Sequence, residues 1–209
     1  MISVCWAAKG GSGTTVVAAT MAIAAGAPTL LIDLAGDVPA VLGIPEPDGP
    51  GVFDWLASDA PASRLTALEV RIEGRSMLLP RGRVTTVAPE RWALLATWLR
   101  SERRPVVVDA GSTGEPPPVM VRAADHALLV TRPCYLALRA ATRSQARPTG
   151  VVLIDEPGRA LRARDIEAGL GAPVVATVLL DPAIARAVDA GLLLARVPSA
   201  FRHAVRLAA

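Results

Sequence analysis

The stretch AKGGSGTT, residues 8–15, decides the fold. It follows a short apolar run, residues 2–7, and opens a small-residue segment, residues 14–25, whose patterning is helical. Strand, glycine loop and helix in that order suit a phosphate-binding loop. Glycines at 10, 11 and 13 let successive backbone N–H groups turn toward one anion, and the helix that follows adds its positive N-terminal end.

Working outward, TLLID (29–33) and PVVVDA (105–110) read as strands apolar on both faces, as parallel strands inside α/β sheets are. Each ends in an acid, Asp33 and Asp109. The Gly- and Pro-rich segment 35–51 has room for a short helix at 38–42, and residues 52–57 continue as another. Residues 67–72 and 76–79, around a Glu73-Gly74 turn, predict a hairpin or two short strands, and 89–103 shows helical spacing of Trp92, Leu95, Ala96 and Leu99. The loop GSTGEPPP (111–118) is too proline-rich to continue a strand or helix. Strand-like segments at 126–131, 150–154 and 173–179 then alternate with helical ones near 135–144, 161–169 and 183–190, and residues 199–209 predict a last helix. This alternation predicts a doubly wound, mainly parallel α/β sheet flanked by helices, built as a single domain over 1–209.

Ligands of such sheets bind beyond the carboxyl ends of the strands, where the loop 9–15, Asp33 and Asp109 all fall. A triphosphate is the expected occupant, cradled by Lys9, Gly10, Gly11, Ser12, Gly13, Thr14 and Thr15. Thr15 stands where a phosphate-loop hydroxyl binds Mg²⁺, and Asp109 where an acid holds that ion through water, with Asp33 as a second acidic contact.

Bulk properties narrow the class. Hydrophobic residues make up 52% and charged residues 20%, a balance that excludes general disorder. The longest apolar stretch, 16–34, is broken by Gly26 and Pro28 and reads as helix plus strand, not as a membrane span. The N-terminus lacks the basic and long apolar regions of a secretory signal, so the expected location is the cytoplasm. Cys5 and Cys134 are read as reduced thiols in or near the core, and His126 and His203 as structural. Net charge is +3, yet of 22 basic side chains 21 are Arg and only Lys9 is Lys. The arginines form no run and carry no aromatic interleaving, so DNA binding is not the favoured reading.

AKGGSGTT, LIDLAGD (31–37) and VVVDAGS (106–112) resemble the deviant Walker A, A′ and Walker B segments of ParA/MinD ATPases, within the SIMIBI group of P-loop NTPases. LLVTRP (128–133) and LLDPAIARAVDAG (179–191) resemble that family's late strand and adenine-side loop, which makes Asp181 and Pro182 expected base-side residues. The resemblance implies that the triphosphate is ATP and that Lys9 is the signature lysine reaching across an ATP-sandwiched homodimer to the partner's phosphates.

Two positions depart from the family. Ala8 replaces the first Walker glycine, and Thr14 occupies the place of the P-loop lysine, a cation worth about 1 to 4 kcal/mol beside a phosphate. The second acid of the D-x-D segment is Ala35 here, with Asp37 two residues on able to substitute as a catalytic residue beside Lys9. Weak ATPase activity at most is expected. A kept signature lysine with a lost P-loop lysine is similar to the TadZ/CpaE branch, which positions Tad-type pilus machinery. Members of that branch commonly carry a receiver-like domain, here expected to be absent or separately encoded. The leading expectation is a nucleotide-dependent dimerisation switch or pseudo-ATPase whose partner belongs to a pilus or secretion machinery. The alternatives are a slow partition ATPase that binds DNA, and a nucleotide-free scaffold. The tail SAFRHAVRLAA, with Phe201, Val205 and Ala208 on one face, is expected to dock on its own sheet, with membrane association weak at best.

Overall fold

The computed structural model describes residues 1–72, 76–112 and 114–206. The described residues contain strands β1 (Ile2–Trp6), β2 (Leu30–Asp33), β3 (Val70–Arg71), β4 (Met77–Leu79), β5 (Val106–Asp109), β6 (His126–Thr131), β7 (Gly150–Asp155) and β8 (Val174–Leu179). They form one sheet in the order β3-β4-β2-β5-β1-β6-β7-β8, parallel throughout except for the short edge strand β3. The doubly wound α/β fold expected from the sequence is the one found.

The central strands are buried on both faces, and their side chains alternate between two cores. Cys5 of β1 and Leu128 and Val130 of β6 face a core shared with α1 (Thr14–Ala24), α2 (Val38–Leu42) and α10 (Ser199–Arg206). Val4 and Trp6 of β1 and Leu129 of β6 face the other, shared with α3 (Val52–Leu56), α4 (Arg91–Ser101) and α5 (Pro118–Ala123). Beyond β7, α6 (Tyr135–Arg143) and α7 (Ala163–Leu170) close a smaller cluster around Ile166. The helices α8 (Pro182–Asp189) and α9 (Leu193–Arg196) follow β8. α1 is buried over most of its length, and its alanines let it lie close to the sheet. Gly26, at φ +70°, and Pro28 end it.

The structure corrects several expectations. The Glu73-Gly74 turn lies outside the described residues, and Ala67 and Leu68 belong to a 3-10 turn, Ala62–Leu68, so only Val70–Arg71 pairs with β4. The proline segment leads directly into α5, with Pro118 in its first turn, where a missing N–H costs nothing. Cys134 is half-exposed as the N-cap of α6, whereas Cys5 is fully buried. In the tail, Phe201 and Val205 are buried on the α1 side of the sheet while Arg202 and Arg206 are exposed, and Ala208 lies outside the described residues. No described helix is long and apolar enough to cross a membrane.

Candidate functional site

The glycine loop is built by extending sheet pairing past the strand ends. Beyond β1, Ala7 donates its N–H to Gly111 O at 2.9 Å, and beyond β5, Ala110 donates to Cys5 O at 2.8 Å. These bonds fix where the loop begins. Gly11 and Gly13 adopt φ of +76° and +84°, and a Cβ at either would meet nothing within 4 Å. Their glycine identity serves backbone direction, not space. Ser12 ties the loop to itself through its hydroxyl, which donates to Lys9 O at 2.8 Å. No side chain caps α1, so the N–H groups of its first turn face the space in front of the loop.

That space divides into two cavities sharing Gly11, Ser12, Gly13 and Val16. One, about 210 Å³, is completed by Thr14, Thr15, Ala35, Asp37, Gly111 and Ser112. The other, about 300 Å³, extends along Val178, Asp181, Ile184 and Phe201 and is mostly apolar. A smaller, more polar cavity at a helix N-terminus sharing a wall with a larger apolar one is the division a nucleotide needs for its phosphates and its base.

Asp37 therefore reaches the phosphate-sized cavity and Asp181 the apolar one. Asp181 also caps α8, its Oδ1 accepting from the Ala183 N–H at 2.8 Å. Pro182 lines a neighbouring cavity instead, against Phe201. Lys9 is exposed and lines neither cavity at the loop. Thr14 is buried, and its hydroxyl has no hydrogen-bond partner.

Asp33 and Asp109 end the two strands whose following residues Ala35, Asp37 and Gly111 line the phosphate-sized cavity. Asp33 accepts three backbone N–H groups: Ala35 and Gly36 on Oδ1 at 3.0 and 2.6 Å, and Val38 on Oδ2 at 3.1 Å. It thereby shapes the turn that carries Asp37 into the cavity. Burial pushes its pKa up to about 6 even against those three donors. Asp109 is fully buried and accepts from Gly111 N at 3.1 Å, while its Oδ2 has no partner. Burial pushes its pKa up to about 7; the neighbouring Thr15 hydroxyl opposes that rise, and the Asp33 charge adds to it.

A divalent cation fits these residues. The orphaned Asp109 oxygen and the neighbouring Thr15 hydroxyl are hard oxygen donors, and among the described residues no basic side chain lines the phosphate-sized cavity to compensate the acid. The reading of the sequence missed Arg132, which lines the apolar cavity at the end of β6, and Ser112 and Gly111 opposite the glycine loop. Arg132 sits inside the LLVTRP segment, so its position at a strand's carboxyl end was the available signal.

Fold and loop together define a P-loop NTPase architecture. Among solved structures, the chain is similar to the MinD cell division protein of Aquifex aeolicus, with 22% identity over 99% of this chain and 94% of that one, at a TM-score of 0.78. It is similar as well to a ParA family ATPase from Chlorobium tepidum, with 20% identity, 98% and 96% coverage and a TM-score of 0.76. The septum site-determining protein MinD of Pyrococcus horikoshii, complexed with Mg-ADP, matches with 20% identity, 100% and 95% coverage and a TM-score of 0.76. The fold is therefore that of ParA/MinD proteins. No family model matches the chain, and no curated protein matches it in sequence.

Proposed function

We propose that this chain is a ParA/MinD-like switch that binds Mg-ATP and, in doing so, forms a homodimer recognised by a protein partner. The observation that carries this reading is the glycine loop as the shared wall of a phosphate-sized and a base-sized cavity. The Mg-ADP held by the similar MinD structure supports the choice of ligand.

In this reading the loop N–H groups of residues 10–15 orient the phosphates, and the apolar cavity takes the base against Ile184 and Val178, with Asp181 at its rim. Thr15 and Asp109, with Asp33 behind them, would hold Mg²⁺, which supplies charge neutralisation between phosphate oxygens. Asp33 keeps Asp37 aimed at the cavity. Lys9, exposed and outside its own cavities, is free to contribute to the site of a second copy.

Thr14 withholds a cation from the phosphates, so the chain's output is the bound state more than turnover. A similarity to the TadZ/CpaE branch in AKGGSGTT makes a pilus or secretion machinery the partner proposed, with the cytoplasm as the place of action. The whole of 1–209 acts as one nucleotide-binding domain.

A second reading, a slow partition ATPase, is favoured by one observation: Asp37 lines the phosphate-sized cavity beside Thr15. Phosphate release stimulated by DNA and lost in Asp37→Ala would select it. Calorimetric titration with Mg-ATP tests the shared premise. Micromolar binding is expected, while no heat and no shift in melting temperature would leave a nucleotide-free scaffold.

A further inference from the structure

The phosphate-sized cavity has no basic side chain among its described lining residues, and it carries Asp37 beyond the strand ends that hold the buried Asp33 and Asp109. A polyphosphate brought there meets negative charge, and Thr14 offers only a hydroxyl. Across both cavities at the glycine loop, one basic side chain lines the walls among the described residues: Arg132.

Its placement follows from the sheet. β6 runs parallel to β1 with Leu129 beside Trp6, so the chain leaving β6 runs alongside the start of the glycine loop. The backbone there is held, since Cys134 donates its N–H to Arg132 O at 2.8 Å and Pro133 lies between. The Arg132 Nε is buried without a hydrogen-bond partner. Its nearest acid, Glu156, sits 4.0 Å from Nη1, beyond hydrogen-bond reach. The same Glu156 oxygen accepts Nε and Nη2 of Arg159 at 2.9 and 2.8 Å. Arg132 thus keeps a guanidinium with donors to spare in the wall of the cavity that shares the glycine loop.

Other cations near the loop are committed or turned away. Arg81 donates its Nε to Leu34 O and stacks over the Phe53 ring at 4.3 Å. Lys9 lines neither cavity.

We propose that Arg132 binds the phosphates of a nucleoside di- or triphosphate and supplies from the end of β6 the positive charge that Thr14 does not. A planar guanidinium can donate two parallel hydrogen bonds to phosphate oxygens, which suits a residue that approaches from the side of the loop. The assignment rests on the nucleotide-binding reading above.

The test is calorimetric titration with Mg-ATP of the parent chain, Arg132→Met, Arg132→Gln and Arg132→Lys, with ligand-free melting temperatures as the control for folding. The uncharged variants are expected to bind about tenfold or more weakly, and Arg132→Lys at least about threefold more tightly than Arg132→Met. Thr14→Lys in the Arg132→Met background is expected to recover affinity. An uncharged variant that folds like the parent and binds within about twofold of it overturns the assignment, as does an Arg132→Lys variant no better than Arg132→Met. A parent chain that binds no Mg-ATP overturns the nucleotide reading itself, and this assignment with it.

Discussion

Asp33 and Asp109 are direct register partners at the carboxyl ends of β2 and β5, two carboxyl groups buried side by side. Asp33 is satisfied by three backbone donors, while Asp109 keeps an oxygen without a partner. Folding without a cation thus places uncompensated acid at the strand ends beside the glycine loop.

That arrangement makes metal-free stability depend on pH. Asp109 is raised from 3.8 to about 7 in the folded chain, so between those values the native state binds the proton that the unfolded state has lost. Stability contributed by the neutral form is complete below about pH 4 and is lost as pH rises through about 7. Asp33, raised to about 6, acts in the same direction. In chelator without nucleotide, Asp109→Asn is expected to be about 1–3 kcal/mol more stable than the parent at pH 8, with the gap narrower at pH 5 and closing near pH 4. Urea denaturation at both pH values measures it, and an unchanged or reversed gap would count against the burial argument.

Thr14→Lys places a cation at the base of α1, facing the same small cavity. Mg-ATP affinity should rise by roughly tenfold or more, because an opposite charge near 4 Å is worth about 1–4 kcal/mol at intermediate dielectric. Equal affinities in a calorimetric comparison would mean that the phosphates do not reach this position.

Gly43 ends α2 at φ +69°, and a Cβ there would stand 1.9 Å from Gly191 O. Gly43→Ala must separate α2 from the turn after α8. A loss of about 2–4 kcal/mol is expected, read as a lower urea midpoint. Gly11→Ala, strained in φ but open in space, should cost less stability while reducing nucleotide affinity.

The two thiols should differ sharply. The Cys134 pKa is lowered by the Ala137 and Leu136 N–H groups and then by the Arg159 and Lys9 charges, whereas burial and then the Asp109 charge raise that of Cys5. Iodoacetamide under native conditions is expected to add once per chain, at Cys134, with a pH midpoint below that of an ordinary thiol. Peptide mass analysis that finds Cys5 modified would contradict the packing described.

Much of this was legible from residues alone, because unbroken apolar strands ending in acid announce a parallel sheet and its ligand edge. LLID and VVVD, with the glycine loop, announced two acids and a loop at one edge of the sheet, which is where Asp33, Asp109 and the loop's cavities are found. The exposure of Cys134 was not legible, since a thiol next to an apolar run looks the same whether it ends a strand or caps the next helix. The start of α5 at Pro118 was hidden by prolines that break a helix interior but suit its first turn. Arg132 carried only the weak signal of its place at a strand's carboxyl end, and Pro182, expected beside the base, lines a neighbouring cavity, because which residues line a cavity depends on how loops from distant strands cross over it. Sequence order does not encode that crossing locally.

The central claim is a dimer made by nucleotide and bridged by Lys9, and light scattering after gel filtration tests it most directly. With Mg-ATP the parent chain should run at twice its ligand-free mass, while Lys9→Ala, still folded and still binding nucleotide, should remain a monomer. A Lys9→Ala chain that dimerises with Mg-ATP as fully as the parent would contradict the account.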